Sequence, residues 1–149
     1  MIHRFKYREG RHLRGPLTDL LVEGLTDPRL AGRPIDAIVP VPLHAARLRA
    51  RRYNQAEVLA ETLSARTGLR VLSALRRVRA TRTQTRLDRE ERMENLRGAF
   101  VPAHNARVQG LHLVVLDDVF TTGATTHDCA RALREAGAAS VRVLTVARG

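Results

Sequence analysis

Apolar residues recur at helical spacing in three stretches of the chain and gather into short unbroken runs between them. Leu13, Leu17, Leu20, Leu21 and Leu25 repeat at three- and four-residue intervals, which predicts an amphipathic helix over Leu13–Leu25. Gly15-Pro16 stand near its start, where proline is tolerated. Ala56, Leu59, Ala60 and Leu63 predict a second helix over Asn54–Arg66, stopped by Gly68. A third covers Thr126–Ala136 and stops at Gly137. Asp36–Val41, Leu113–Leu116 and Ser140–Ala147 read as strands, the first limited by Pro40 and Pro42, which cannot donate to a ladder. Unbroken apolar runs mark strands buried on both faces. The strand–helix–strand order across residues 113–147 therefore predicts a parallel sheet flanked by helices. Leu43–Arg52 reads as a basic loop, Val71–Val78 as a broken strand-like region, and Pro102 to Gly110 as a turn-rich connection.

Arg79 to Arg97 departs from this pattern. Arg82, Arg86, Arg89 and Arg92 alternate with Asp88, Glu90, Glu91 and Glu94, and apolar residues are almost absent. One reading is a solvated helix laced with i,i+4 ion pairs. The other is a functional excursion, since long polar segments inside compact domains usually serve a site.

The densest chemistry follows the strand at Leu113–Leu116. Two carboxylates, Asp117 and Asp118, are succeeded by Thr121-Thr122-Gly123-Ala124-Thr125-Thr126 and then by a helix. Ligands of open α/β sheets sit beyond the carboxyl ends of the strands. Paired carboxylates there can accept hydrogen bonds from vicinal hydroxyls. The small-residue loop offers backbone N–H groups and hydroxyls to a phosphate, aided by the helix dipole, and Gly123 lets backbone approach the anion closely. A sugar phosphate fits this order of parts.

This segment resembles the 5-phosphoribosyl 1-diphosphate (PRPP) motif of the type I phosphoribosyltransferases, and the resemblance extends along nearly the whole chain to their ComF-like branch, the competence-protein-like members. Val39-Pro40-Val41-Pro42-Leu43-His44, Tyr53-Asn54-Gln55-Ala56, Arg79-Ala80-Thr81-Arg82-Thr83-Gln84, Glu91-Arg92 with Asn95, Gly98-Ala99-Phe100 and Val146-Ala147-Arg148 carry it. The resemblance implies an α/β domain of the type I phosphoribosyltransferase fold, a parallel sheet flanked by helices with a polar hood, spanning residues 1–149 as one domain. It implies a protein that binds PRPP, or another ligand containing ribose 5-phosphate, together with Mg²⁺. The reaction would be pentosyl transfer to an unidentified acceptor with release of diphosphate. Asp117 and Asp118 would be the catalytic pair, holding the ribose hydroxyls and helping to order magnesium, which the substrate mainly carries. Thr121, Thr122, Gly123, Ala124, Thr125 and Thr126 would hold the 5′-phosphate. Arg47, Arg49, Arg51 and Arg52 would face the diphosphate, and Arg79, Thr81, Gln84 and Arg92 would belong to the hood. Asn54 reads as a helix N-cap, with a substrate role left open by its place beside the basic loop. Purine-salvage relatives commonly carry an aspartate where this chain has Thr121, so purine salvage by that route is not expected. His44 and His127 are candidates for proton transfer by proximity alone. Cys129 reads as a small core residue.

Composition narrows the classes. With 44% hydrophobic residues the chain can build a core, and with only 3% aromatic ones that core must be aliphatic. No apolar stretch reaches membrane-spanning length, and residues 1–7 lack the apolar region of a secretory signal, so a cytoplasmic location is expected. Cys129 is the sole cysteine, which excludes an internal disulfide or a cysteine-built zinc site. Many ComF-like proteins begin with a four-cysteine zinc ribbon that this sequence does not contain. G-x-G-x-x-G, P-loop, G-x-S-x-G and metal-spaced histidine motifs are likewise missing. The net charge of +11 is carried almost wholly by arginine, Lys6 being the sole lysine.

Three functional classes follow: a phosphoribosyltransferase; a non-catalytic PRPP- or nucleotide-binding module acting in competence and DNA uptake; and a nucleic-acid binder, which rests on charge alone. A homodimer is compatible with each. If the arginines of Leu43–Arg52 serve the diphosphate, PRPP with Mg²⁺ will displace DNA from that surface, and Arg49→Ala with Arg51→Ala will weaken PRPP binding more than DNA binding in parallel titrations. Strong, salt-sensitive DNA binding that saturating PRPP leaves untouched would instead mark two separate sites.

Overall fold

The computed structural model describes residues 13–51, 53–80 and 88–148. In chain order these form helix α1 (Arg14–Leu25), the single turn α2 (Pro28–Ala31), strand β1 (Ala37–Pro40), and helices α3 (Ala45–Arg51) and α4 (Gln55–Thr67). Strands β2 (Arg70–Val71) and β3 (Leu75–Arg77), helix α5 (Arg89–Leu96), strands β4 (Phe100–Pro102) and β5 (His112–Phe120), helix α6 (Ala124–Glu135) and strand β6 (Ser140–Arg148) follow.

Four strands make one parallel sheet in the order β2-β1-β5-β6. Its central strands are apolar on both faces. Ala37 and Val39 of β1 and Leu113 and Val115 of β5 pack with Cys129, Ala132 and Leu133 of α6. Their alternating neighbours Ile38, Val114 and Leu116 pack with Leu17 and Leu21 of α1 and Leu59, Ala60 and Leu63 of α4. This is the side-chain alternation of a pleated strand, and it explains why the runs read as continuous rather than alternating. Leu20, grouped by spacing with the other leucines, is half exposed. The core of α1 rests on Leu17 and Leu21, one turn apart.

The chain leaves β1 to build β2 on one side and returns to build β5 and β6 on the other. That reversal opens a crevice at the carboxyl ends of β1 and β5, where α/β sheets hold ligands. Val41 N donates to Leu116 O at 2.9 Å, closing the β1–β5 pair at its upper end. Beyond it β5 continues to Phe120 with β6 as its paired neighbour, a ledge on which Asp117 and Asp118 stand.

Several elements differ from the sequence expectation. The basic segment Leu43–Arg52 is largely helix α3: its alanines, leucine and arginines favour helix and no glycine or proline interrupts them. The Val71–Val78 region divides, with Arg70–Val71 in the main sheet and Leu75–Arg77 pairing antiparallel with β4 in a separate two-stranded sheet. β4 falls in a stretch too short to show a period. β5 includes the acid pair, which the sequence placed after the strand, because pairing with β6 carries the ladder onward. Within Arg79–Arg97, α5 is a short helix with no buried residue and a capping box, in which Glu91 N donates to Asp88 Oδ1 at 2.9 Å and Asp88 N to Glu91 Oε2 at 3.0 Å.

Asn54 caps α4 through Oδ1, which accepts from Ala56 N at 3.1 Å, and its Nδ2 donates to Val41 O at 2.9 Å. One buried side chain thus ties the end of β1 to the start of α4 across the basic segment. Asn54→Ala removes a cap worth about 1 kcal/mol and leaves a buried carbonyl unpaired at roughly 1–3 kcal/mol. Urea denaturation is expected to show a loss of about 2–4 kcal/mol from those two terms, and Asn54→Ser, which keeps a cap acceptor, to fall between. An unchanged midpoint for Asn54→Ala would contradict this role.

Candidate functional site

The loop between β5 and α6 leaves backbone donors open at a helix N-terminus. Gly123 adopts φ +80°, and α6 starts behind it with no side-chain cap and no acidic residue in its first turn. His127 N closes the first helical bond on Gly123 O at 2.8 Å, so the preceding N–H groups have no carbonyl partner in the helix. Ala124 N reaches only Thr122 Oγ1, at 3.4 Å, and Thr126 Oγ1 turns back to Gly123 O at 3.1 Å. The positive end of the helix dipole is therefore not offset by any acid of its own first turn.

Asp117, Val119, Phe120, Thr121, Gly123, Thr125 and Thr126 line one depression at this point. Of the expected phosphate-loop residues, Thr121, Gly123 and Thr125 meet in it with the buried Thr126, while Ala124 is buried beneath. Thr122 lines an adjoining groove with Arg89, His127 and Arg134. The depression holds about 20 Å³, room for about one water. The Phe120 ring narrows it: a Cβ on Gly123 would stand 2.7 Å from Phe120 Cζ.

Each of the two carboxylates also accepts a bond from the backbone that follows it. Asp117 Oδ1 accepts from Asp118 N at 2.8 Å and Asp118 Oδ1 from Val119 N at 2.9 Å. Successive residues of a strand face opposite sides. Asp117 lines this depression, whose lining does not include Asp118. Asp117 also lies close enough to Arg77 and Cys129 to act on both electrostatically.

Arg77, which the sequence reading did not single out, belongs here. Burial pulls its guanidinium below the usual arginine range, Arg47 adds to that, and Cys129 and Asp117 act in the opposite direction. Its Cζ lies 5.4 Å from the centroid of the Phe100 ring, within cation–π range. Arg77 thus lies in one charged group with Arg47 and Asp117, each within electrostatic reach of it, while its Nε donates to Arg79 O at 3.2 Å. Burial between polar neighbours is what marks Arg77, and a strand of three residues carries no such signal in sequence.

Of the expected diphosphate residues, Arg47 is half-buried on α3 and enters this cluster, and Arg49 is exposed on the same helix. Arg52 and the side chain of Arg51 lie outside the described residues. Of the hood residues, Arg79 donates to Asn95 O at 3.2 Å and to Arg97 O, bracing the end of α5. Arg92 is half-buried on α5, and Thr81 and Gln84 lie outside the described residues. Gln55, at the start of α4, is buried with its Nε2 lacking a hydrogen-bond partner. His44 is a local cap, its Nδ1 accepting from Ala46 N at 3.3 Å, and His127 is exposed. Cys129 is fully buried, and burial, with Asp117 and Asp128 adding to it, pushes its thiol well up. It is inert packing.

A larger cleft of about 710 Å³ lies between the α1–α2 turn and β6, lined by Asp27, Arg29, Arg142, Thr145 and Arg148 among others. Most of its charged groups are already engaged, although Arg142 Nε is buried without a hydrogen-bond partner. Asp27 pairs with Arg29 at 2.8 Å, and Arg142 donates to the carbonyls of Leu30, Arg33 and Pro34. The cradle at β5–α6, with donors still open to a ligand, is the better candidate despite its smaller volume.

Solved structures with this architecture are phosphoribosyltransferases and their relatives. An adenine phosphoribosyltransferase from Saccharomyces cerevisiae, complexed with an imino-altritol bisphosphate and adenine, aligns with 93% of this chain and 70% of its own (TM-score 0.59, 16% identity). The glutamine PRPP amidotransferase of B. subtilis aligns with 89% of this chain and 26% of its own (TM-score 0.57, 22% identity). The chain has the type I phosphoribosyltransferase fold. In sequence it is 38% identical over 151 aligned residues to the DNA utilization protein YhgH of Salmonella typhi, covering 99% of this chain, and 34% identical to competence protein F of Haemophilus influenzae, again over 99%. Competence protein ComFC of Bacillus subtilis is 37% identical over 112 residues, 74% of this chain and 44% of that protein. In sequence the chain is similar to these DNA-utilization and competence proteins, and its fold is that of the type I phosphoribosyltransferases. It spans 66% of the length of the Salmonella and Haemophilus relatives. No family model matches it. No helix among the described residues is long and apolar enough to cross a membrane.

Gly123→Ala places a Cβ in the left-handed region, at a cost of about 1–2 kcal/mol. Thermal unfolding is expected to drop by a few degrees, since about 1 kcal/mol moves a domain of this size by roughly 2–4 °C. Phe120→Ala is expected to leave the fold intact and to tighten ribose 5-phosphate binding several-fold in calorimetry, because the closed ring no longer competes with the ligand. Weaker binding by Phe120→Ala would show that the ring supports the ligand instead.

Proposed function

We propose that this chain binds PRPP and transfers its phosphoribosyl group to an acceptor, releasing diphosphate. The observation that carries the reading is the union at one sheet edge of an uncapped helix N-terminus behind Gly123, a carboxylate on the β5 ledge, and the Arg47–Arg77 cluster. These parts match the three ends of the substrate. The cradle of Thr121–Thr126 takes the 5′-phosphate through backbone N–H groups and hydroxyls. Asp117 accepts from the ribose hydroxyls, and Asp118 supports the same end of the strand. Arg47 and Arg77, with Arg49, Arg51 and Arg52 of the basic segment, draw charge from the departing diphosphate, where preorganised donors count most.

The donor set suits magnesium, since Asp117 and Asp118 offer hard carboxylate oxygens beside a ligand rich in phosphate oxygens. When bound, Mg²⁺ would neutralise the diphosphate as it leaves. The protein's own share is to hold ribose and leaving group in line and, when the hood segment covers the crevice, to exclude water that would compete with the acceptor. Thr121 replaces the carboxylate base of purine-salvage relatives, so proton removal must come from the acceptor or from elsewhere in the chain.

A second reading has a specific observation in its favour: the relatives are named for DNA utilization and competence. On that reading the same site binds PRPP or a nucleotide without turnover, as a module in DNA uptake, because fold alone does not settle function.

Calorimetry with PRPP is expected to show binding that strengthens with Mg²⁺. Asp117→Asn with Asp118→Asn should lose about 1.5–3 kcal/mol for each charged hydrogen bond removed. Phosphorus NMR of PRPP with candidate acceptors separates the two readings: diphosphate release supports the transferase, and tight binding without turnover supports the module. No binding of PRPP or ribose 5-phosphate by folded protein overturns both.

A further inference from the structure

Asp128, on α6 one turn beyond the cradle, is buried yet charged, and the chemistry above does not use it. Its two oxygens accept from three donors: Gly98 N at 3.0 Å, Phe100 N at 2.9 Å and Arg131 Nε at 2.8 Å. Arg131 completes the clip, donating to Phe100 O at 3.2 Å and to Glu135 Oε2 at 2.6 Å. The backbone of residues 98–100 is therefore held at both its N–H and its C=O groups by the helix that carries the cradle. Burial works against the charge, but the bonds from Arg131, Gly98 and Phe100 outweigh it and hold the carboxyl below its usual range, so the clip remains ionised at neutral pH.

What the clip fixes points into the site. Phe100 is fully buried, and its backbone pairs with Arg77 across the β3–β4 ladder. Its ring lies under the Arg77 guanidinium, which sits in the field of Arg47 and Asp117. A path of direct contacts thus runs from the cradle helix through Asp128, the 98–100 backbone and the Phe100 ring to the Arg77 guanidinium. Gly98, at φ +73°, is where the chain turns from α5 into this clip.

We infer that Asp128 is a positioning residue that sets the Arg77 guanidinium, through Phe100, at the diphosphate end of the crevice while leaving the phosphate cradle to form without it. An apolar residue at position 128 could fill the same space, but it could not hold three N–H groups in one register. The placement of Arg77 rests on its ring contact with Phe100 and on the bond its Nε donates to Arg79 O at 3.2 Å, whereas its consequence for ligand rests on the phosphoribosyl reading.

Two measurements on Asp128→Asn decide it, with Phe100→Leu as the variant that spares the clip and removes only the ring. In ligand-free protein, the Arg77 Nε–H resonance should be shifted by the Phe100 ring current in the parent and should move toward the ordinary arginine position in both variants, with amide dispersion retained. In calorimetry with Mg²⁺, inorganic diphosphate should bind both variants roughly tenfold or more weakly, the scale of a single charged hydrogen bond, while ribose 5-phosphate affinity stays within about twofold, its cradle being untouched. An Arg77 resonance unmoved by Asp128→Asn overturns the inference, as does a proportional loss of both ligands, which a merely structural role would give. If the parent binds neither ligand, the phosphoribosyl reading fails, and the Arg77 resonance alone decides the positioning role.

Discussion

The β1–β5 pairing is the constraint on which the rest depends. Two strands buried on both faces are zipped parallel from Ala37 with Leu113 to Pro40 with Leu116, and Val41 N adds a last bond to Leu116 O. β1 then turns away, through prolines that cannot extend the ladder, while β5 continues beside β6. The offset creates both the ledge that carries Asp117 and the opening above β1. Parallel connections must cross over, so the loops after both strands fall at the same edge of the sheet. The basic segment after β1 and the cradle after β5 meet there for topological reasons, before any side-chain contact is considered.

Energetically, the site is placed where the core can support it. Leu113 to Leu116 are fully buried, and apolar burial of this kind contributes roughly 1.5–3 kcal/mol per large side chain. Four such residues immediately before the acids hold the ledge rigid. The conformationally demanding element, Gly123 in the left-handed region, is anchored between that strand and a helix whose inner face, Cys129, Ala132 and Leu133, is itself core. Moving outward, support becomes polar: the Asn54 bridge to Val41, the Asp128–Arg131 clip on residues 98–100, and finally the capping box of a helix with no buried residue. Packing secures the β5–α6 end of the crevice, and directional bonds secure the elements around it.

Much of this was legible in the residues. The long helices, the central strands, the Asn54 cap, the buried Cys129 and the glycine turn before α6 follow from apolar period and cap chemistry, because each is a local effect repeated over several residues. Three features were not. Helix α3 was hidden by its charge, since arginines suit a loop and a helix equally. β3 and β4 are three residues each and have no period to show. Arg77 and Asp128 gain their roles only from long-range contacts, across the β3–β4 ladder and between α6 and the segment before β4, and no local pattern encodes such contacts.

The central claim is that the end of β5 and the start of α6 form a phosphate cradle, in preference to the larger cleft beside β6. Titrating ¹⁵N-labelled protein with ribose 5-phosphate and following backbone amides tests it residue by residue. The account predicts saturable shifts centred on Gly123, Ala124, Thr125 and Thr126, with smaller ones at Asp117 and Asp118. Shifts centred instead on Arg29, Arg142 and Thr145, with the amides of Gly123–Thr126 unmoved, would contradict it.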